Sequence, residues 1–193
     1  MPNHSVFNPQ NQPVFTLITN AYSSPGTVAP PETSAGSNGS MYISTASNSS
    51  SLGLLGGSVT ITLQISNPGS SGKTLYVSRI AGGTGISLNL LSSFSANFTL
   101  IKGGTLTSPT SASKLNTNFS SANVSVMTAN SSTSAVSGGT AFFALPVNAG
   151  QFALEQTGSI VVPAGQSIAA TLSASLSVAG VLSTTLNIAW WEA

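Results

Sequence analysis

From Ser58 to Ser66 apolar and polar residues alternate one for one. Val59, Ile61, Leu63 and Ile65 fall on one side of an extended chain, and Thr60, Thr62, Gln64 and Ser66 on the other. Successive side chains of a strand point to opposite faces, so this stretch predicts a strand with one face in a core and the other toward solvent or a neighbour. The same period returns near the C-terminus, where Ile168, Ala170, Leu172, Ala174, Leu176 and Val178 alternate with Ala169, Thr171, Ser173, Ser175 and Ser177. After Gly180 a last strand sets Leu182, Leu186, Ile188 and Trp190 opposite Ser183, Thr185, Asn187 and Trp191. Shorter extended stretches are predicted at 74–81, 86–91, 96–102, 123–129, 140–145, 151–155 and 159–162, with breaks at Gly82-Gly83-Thr84-Gly85 and Pro163-Ala164-Gly165. No helical periodicity and no fixed-length repeat competes with this pattern.

Many short strands separated by turns predict an all-β fold. Long antiparallel strands near both ends of the body favour an antiparallel β-sandwich of jelly-roll type. The body is expected to span residues 52–193 as one domain, a size that one all-β core can fill. Ahead of it, residues 22–51 are rich in Ser, Pro, Gly, Ala and Asn, with Pro25-Gly26 and Pro30-Pro31, and read as a spacer. Residues 1–21 read as an extended N-terminal connector, because they carry the apolar patch Val14-Phe15-Thr16-Leu17-Ile18, whose β-branched and aromatic residues suit a strand with two apolar faces.

Charge changes the picture most. Four Lys/Arg and three Glu are the only charged residues among 193, and Asp is absent, whereas soluble domains devote about a quarter of their residues to charge. Lys73, Arg79, Lys102 and Lys114 are scattered rather than clustered, so no nucleic-acid partner is expected. Too few carboxylates, one His and no Cys argue against a metal or other cofactor. No apolar run approaches the roughly 18 to 20 residues of a membrane helix, and a transmembrane barrel would call for a charged lumen, so membrane insertion is not expected. Met1-Pro2-Asn3-His4 begins no positive region followed by an apolar one, so no classical secretory signal is expected.

The chemistry that remains is thin. Asn67-Pro68-Gly69-Ser70-Ser71-Gly72-Lys73-Thr74 matches the phosphate-binding loop apart from Asn67 at the leading Gly. A strand rather than a helix follows it, so a hairpin turn is expected there. His4 is the only imidazole and lies in a polar tail, leaving no base for a Ser or Thr nucleophile. Glu32, Glu155 and Glu192 come from a spacer, a loop and the C-terminus, and Glu155 reads as a solvated strand-end charge rather than half of a hydrolytic pair. The chain is therefore not expected to be an enzyme. Adjacent residues of a strand face opposite ways, so Trp190 is expected in the core and Trp191 exposed, as a sugar platform or as a subunit contact.

Val14, Phe15, Leu17 and Ile18 have two readings. They form an edge strand of their own sheet, or they reach a neighbouring subunit and add a strand to it. A spacer of about 30 residues has an r.m.s. reach of about 30 Å, enough to cross to the next domain. Burying the four side chains gives on the order of 6 to 12 kcal/mol. Ordering five or six residues costs about 1 to 2 kcal/mol each, so lateral contacts between uncharged faces have to contribute as well. With this connector, spacer and sandwich, the chain resembles the self-assembling jelly-roll subunits of bacterial surface and endospore appendages. That resemblance implies a non-enzymatic structural subunit forming an extracellular filament or appendage on a cell or spore surface, with itself as its main partner. The alternatives are a phage or viral capsid or fibre protein and a carbohydrate-binding module making glycan contacts. Four Lys/Arg also leave few sites for trypsin. The folded assembly is expected to resist it, and ready digestion would overturn the reading of missing charge as a packing requirement.

Overall fold

A computed structural model describes residues 31–88 and 93–193. They form a short helix, α1 (Pro31–Ser37), and strands β1 (Met41–Leu52), β2 (Gly57–Ser66), β3 (Leu75–Leu88), β4 (Phe94–Lys102), β5 (Thr110–Ser111) and β6 (Leu115–Asn116). These are followed by β7 (Thr128–Ser132), β8 (Thr140–Pro146), β9 (Gly150–Val162), β10 (Ser167–Leu176) and β11 (Gly180–Glu192). The strands build an all-β sandwich of two antiparallel sheets, one ordered β6-β1-β11-β3-β9 and the other β5-β7-β2-β10-β4-β8. No helix among the described residues is long and apolar enough to cross a membrane.

The alternation read from β2, β10 and β11 is the alternation of the core. Val59, Ile61, Leu63 and Ile65 pair in register with Ala174, Leu172, Ala170 and Ile168, and all eight side chains are buried. Leu182, Leu186, Ile188 and Trp190 of β11 belong to the same apolar cluster, with Phe98 and Leu100 of β4 and Val77 and Ile80 of β3. The polar face of β2 is less open than its alternation suggests. Thr62 is buried, its hydroxyl donates to the Ser134 carbonyl at 2.8 Å, and it lies 2.9 Å from the Thr171 hydroxyl. Gln64 Nε2 donates to the Gly104 carbonyl at 3.1 Å. The segment 103–139 thus folds over this face and satisfies its polar groups.

Several expectations from sequence need correction. The stretch 22–51 is not spacer throughout: Met41–Leu52 forms β1, paired along its whole length with β11, and Tyr42, Ser44 and Ala46 are buried. Ser and Asn are poor strand formers, but a slot beside a long central strand outweighs propensity. Gly82–Gly85 do not break the chain, because β3 runs through them to Leu88. A Cβ at Gly82 would lie 2.7 Å from the Thr185 carbonyl oxygen and 2.9 Å from the Phe152 ring, so the missing side chain is what lets Phe152 pack there. The stretches 151–155 and 159–162 are one strand, β9, with Thr157 (φ 46°) and Gly158 (φ 86°) absorbing a register shift against β3. The strand expected at 123–129 is β7, displaced to Thr128–Ser132.

The stretch 67–74 is no hairpin either, since it carries the chain from β2 in one sheet to β3 in the other. Asn67, at the position of the phosphate loop's first Gly, is buried. Its amide donates to the carbonyls of Lys73 at 2.8 Å and Val162 at 3.0 Å, stitching the crossing.

The two sides of the sandwich differ. On one, β6 extends β1 and β7 with β5 extends β2, all from the 103–139 excursion. On the other, β9 and β8 end their sheets. Gly82→Ala should destabilise the fold by about 1 to 3 kcal/mol, as overpacking does, read as a lower urea midpoint. An unchanged midpoint would remove the explanation given for the unbroken β3.

Candidate assembly surface

The three glutamates lie on three different elements. Glu32 lies in α1. Glu155, expected in a loop, sits within β9 and pairs with Arg79 across the strands at 3.0 Å, both largely exposed, where such a pair contributes little stability. No group of three His, Cys, Asp or Glu able to hold a metal occurs among the described residues. His4 lies outside them, as do Val14, Phe15, Leu17 and Ile18.

Glu192 is the one carboxylate set in a built environment, and sequence reading missed it. It follows Trp190 on the inner face of β11 and is buried, with its Oε1 accepting from the Ser125 hydroxyl and from Trp190 Nε1 at 3.1 Å. Its Oε2 accepts from the Val126 amide at 3.3 Å and lies 3.9 Å from Lys73 Nζ. Hydrogen bonds to an ionised acceptor are the strong ones, and here they tie the end of β11 to the 121–127 loop. The arrangement clasps the end of β11 to that loop. The signal available in sequence was the Trp190-x-Glu192 spacing, which puts both on one face of a strand.

Trp190 is in the core, as alternation requires, but Trp191 is not exposed. Only 9% of it remains accessible. Its ring stacks on Tyr76 with centroids 5.4 Å apart and planes 11° apart, and it fills the space that a Cβ on Gly158 would need. The side chain is therefore not the exposed aromatic that the sugar-platform and subunit-contact expectations started from. It is buried because Gly158 lets β9 pass beneath it and because α1 lies against β11 and β9 on the way into β1.

Exposed apolar side chains concentrate elsewhere. Leu54 and Leu55 form the β1–β2 tip, and Phe119 and Val124 lie in the loop following β6. The open side of the sandwich carries Phe142 and Phe143 on β8 and Val161 on β9. Between these two strands lies a cleft of about 340 Å³. The outer face of the β1-β11-β3-β9 sheet presents Thr45, Ser47 and Ser49, Ser183 and Thr185, and Gly83 and Gly85, and the Arg79–Glu155 pair on it is self-neutralising.

No family model, curated protein or solved structure matches the chain. The function must therefore be read from these surfaces.

Tyr42 is buried beside Trp190, ring centroids 6.1 Å apart, and burial, with a smaller push from the Glu192 charge, raises its phenol above the ordinary value. A raised pKa means the folded state holds the proton longer. The Tyr42 contribution is therefore fully present below about pH 10 and is lost as pH rises through the higher folded value. In urea titrations at about pH 8 and about pH 11, Tyr42→Phe should lose less stability between the two than the parent protein. Equal losses would remove Tyr42 as the alkaline-sensitive group.

Proposed function

We propose that the chain is a non-enzymatic structural subunit, a jelly-roll sandwich that self-assembles into an extracellular filament or appendage on a cell or spore surface. The observation that carries this reading is a nearly uncharged surface combined with one side of the sandwich left open and lined by large apolar residues. A surface with little net charge lacks the repulsion that keeps soluble proteins apart, and exposed apolar area supplies attraction. Uncharged hydroxyl and glycine faces such as that of the β1-β11-β3-β9 sheet are far less costly to desolvate than charged ones.

The strand order supports the jelly-roll part of the proposal. Leaving aside β5, β6 and β7, the sheets are β1-β11-β3-β9 and β2-β10-β4-β8, and the chain changes sheet at every connection except that from β4 to β8. Eight strands wound this way are what two Greek keys folded over one core produce. Self-contact that does not close on itself propagates as a fibre, while a closing angle gives a shell, the outcome that would favour a capsid protein instead.

Negative-stain microscopy of the full chain and of a form lacking residues 1–21 tests the assembly. Regular filaments lost on truncation are expected. Monodisperse monomers in both samples would sink the proposal.

A further inference from the structure

Strands β8 and β9 are joined by the short turn 147–149, yet they belong to different sheets and each is the last strand of its own. The cleft between them lies at the end away from that turn, walled by Phe142 of β8, Ile160, Val161 and Val162 of β9, and Ile168 of β10, with the exposed Lys102 beside them. Its volume of about 340 Å³ is at the lower end of the range for ligand pockets, room for anchoring side chains rather than for a folded element. Along this side Leu145 of β8 and Phe152, Leu154 and Ile160 of β9 are only partly buried against the core, whereas on the opposite side β5, β6 and β7 extend the sheets.

The free edge of β8 carries no charge along its length. Proteins usually guard an edge strand with charge, proline or a bulge that turns it aside. Thr140–Ala144 are five successive exposed residues with no charge; the strand is bulged at Phe142, between the pairs Ala141–Ile101 and Phe143–Leu100, and proline comes only at Pro146, near the turn. β9 is guarded better, by Glu155 and by the left-handed pair Thr157 and Gly158.

We propose that this open side is the acceptor for Val14–Ile18 of a neighbouring copy, which adds a strand to the free edge of β8 and buries its apolar side chains in the cleft. Delivery by a neighbour rests on the assembly reading above. The segment fits on three counts. Its five residues match the five exposed, uncharged positions Thr140–Ala144 of β8 in number, and it carries no charge to desolvate. Period-2 alternation gives it two apolar faces, Phe15 with Leu17 and Val14 with Ile18, which an edge site beside a cleft can use together. Its tether is long enough, since the 12 residues between Ile18 and Pro31 extend to about 40 Å, and α1, where that tether ends, packs against β9.

The absence of cysteine gives a clean background for the test. Full-length chains carrying Phe15→Cys or Leu17→Cys are mixed, under conditions of assembly, with chains carrying Phe142→Cys or Val161→Cys, oxidised, and read on a non-reducing gel. Phe142 and Val161 are exposed, so replacing them removes no core side chain. The expected result is a disulfide-linked dimer in at least one mixture, at about tenfold or more the yield obtained with Leu115→Cys on the sealed side, because docking raises the local thiol concentration. Filaments without that cross-link would overturn the acceptor site and leave the assembly reading standing. A Phe15→Cys/Phe142→Cys chain that links only within itself, in monomers, would overturn delivery by a neighbour. Neither filaments nor cross-link would overturn both.

Discussion

The packing of β10 and β11 back to back holds the rest of the molecule in place. Each is paired on both edges, β10 between β2 and β4 and β11 between β1 and β3, so every long strand except β8 and β9 is either one of these two or hydrogen-bonded to one. Their inner faces alternate side-chain size, with Ala170 and Ala174 beside Leu172 on β10 and Leu182, Leu186 and Trp190 on β11, a mix of sizes that lets two layers interdigitate. The Glu192 clasp then fixes the far end of β11, the point at which α1 and the 121–127 loop meet the sheet.

Everything peripheral follows from what those two strands leave uncovered. The 103–139 excursion covers the polar faces of β2 and β10 and lengthens both sheets on that side, converting hydroxyls such as Thr62 from solvated groups into paired ones. Nothing equivalent covers β8 and β9 among the described residues. One fold therefore presents a closed side, an open side and a broad uncharged sheet face. A subunit that adds neighbours in one direction needs two unlike surfaces, and in the proposed assembly a connector meeting the open edge supplies them.

The scarcity of charge bears on each surface differently. On the sheet face it leaves Ser, Thr and Gly with only the self-neutralised Arg79–Glu155 pair. On β8 it leaves the edge without charge, so that the bulge at Phe142 and Pro146 are what stands against strand addition there. Inside, the single buried carboxylate is consistent with the same economy, since Glu192 is surrounded by donors that a buried charge requires.

Composition and period-2 alternation determined, without any structure, that the chain is all-β, that β2, β10 and β11 line a core, and that Trp190 points inward. These are local matters, decided by which side chains alternate. Tertiary structure alone decided that a Ser- and Asn-rich stretch becomes β1, that Gly82–Gly85 continue a strand, that Trp191 is buried under Gly158 and Tyr76, and that among the described residues β8 and β9 end their sheets. Each of these depends on what arrives from far along the chain: a partner strand outweighs weak propensity, and a missing Cβ matters only once a distant ring needs its space.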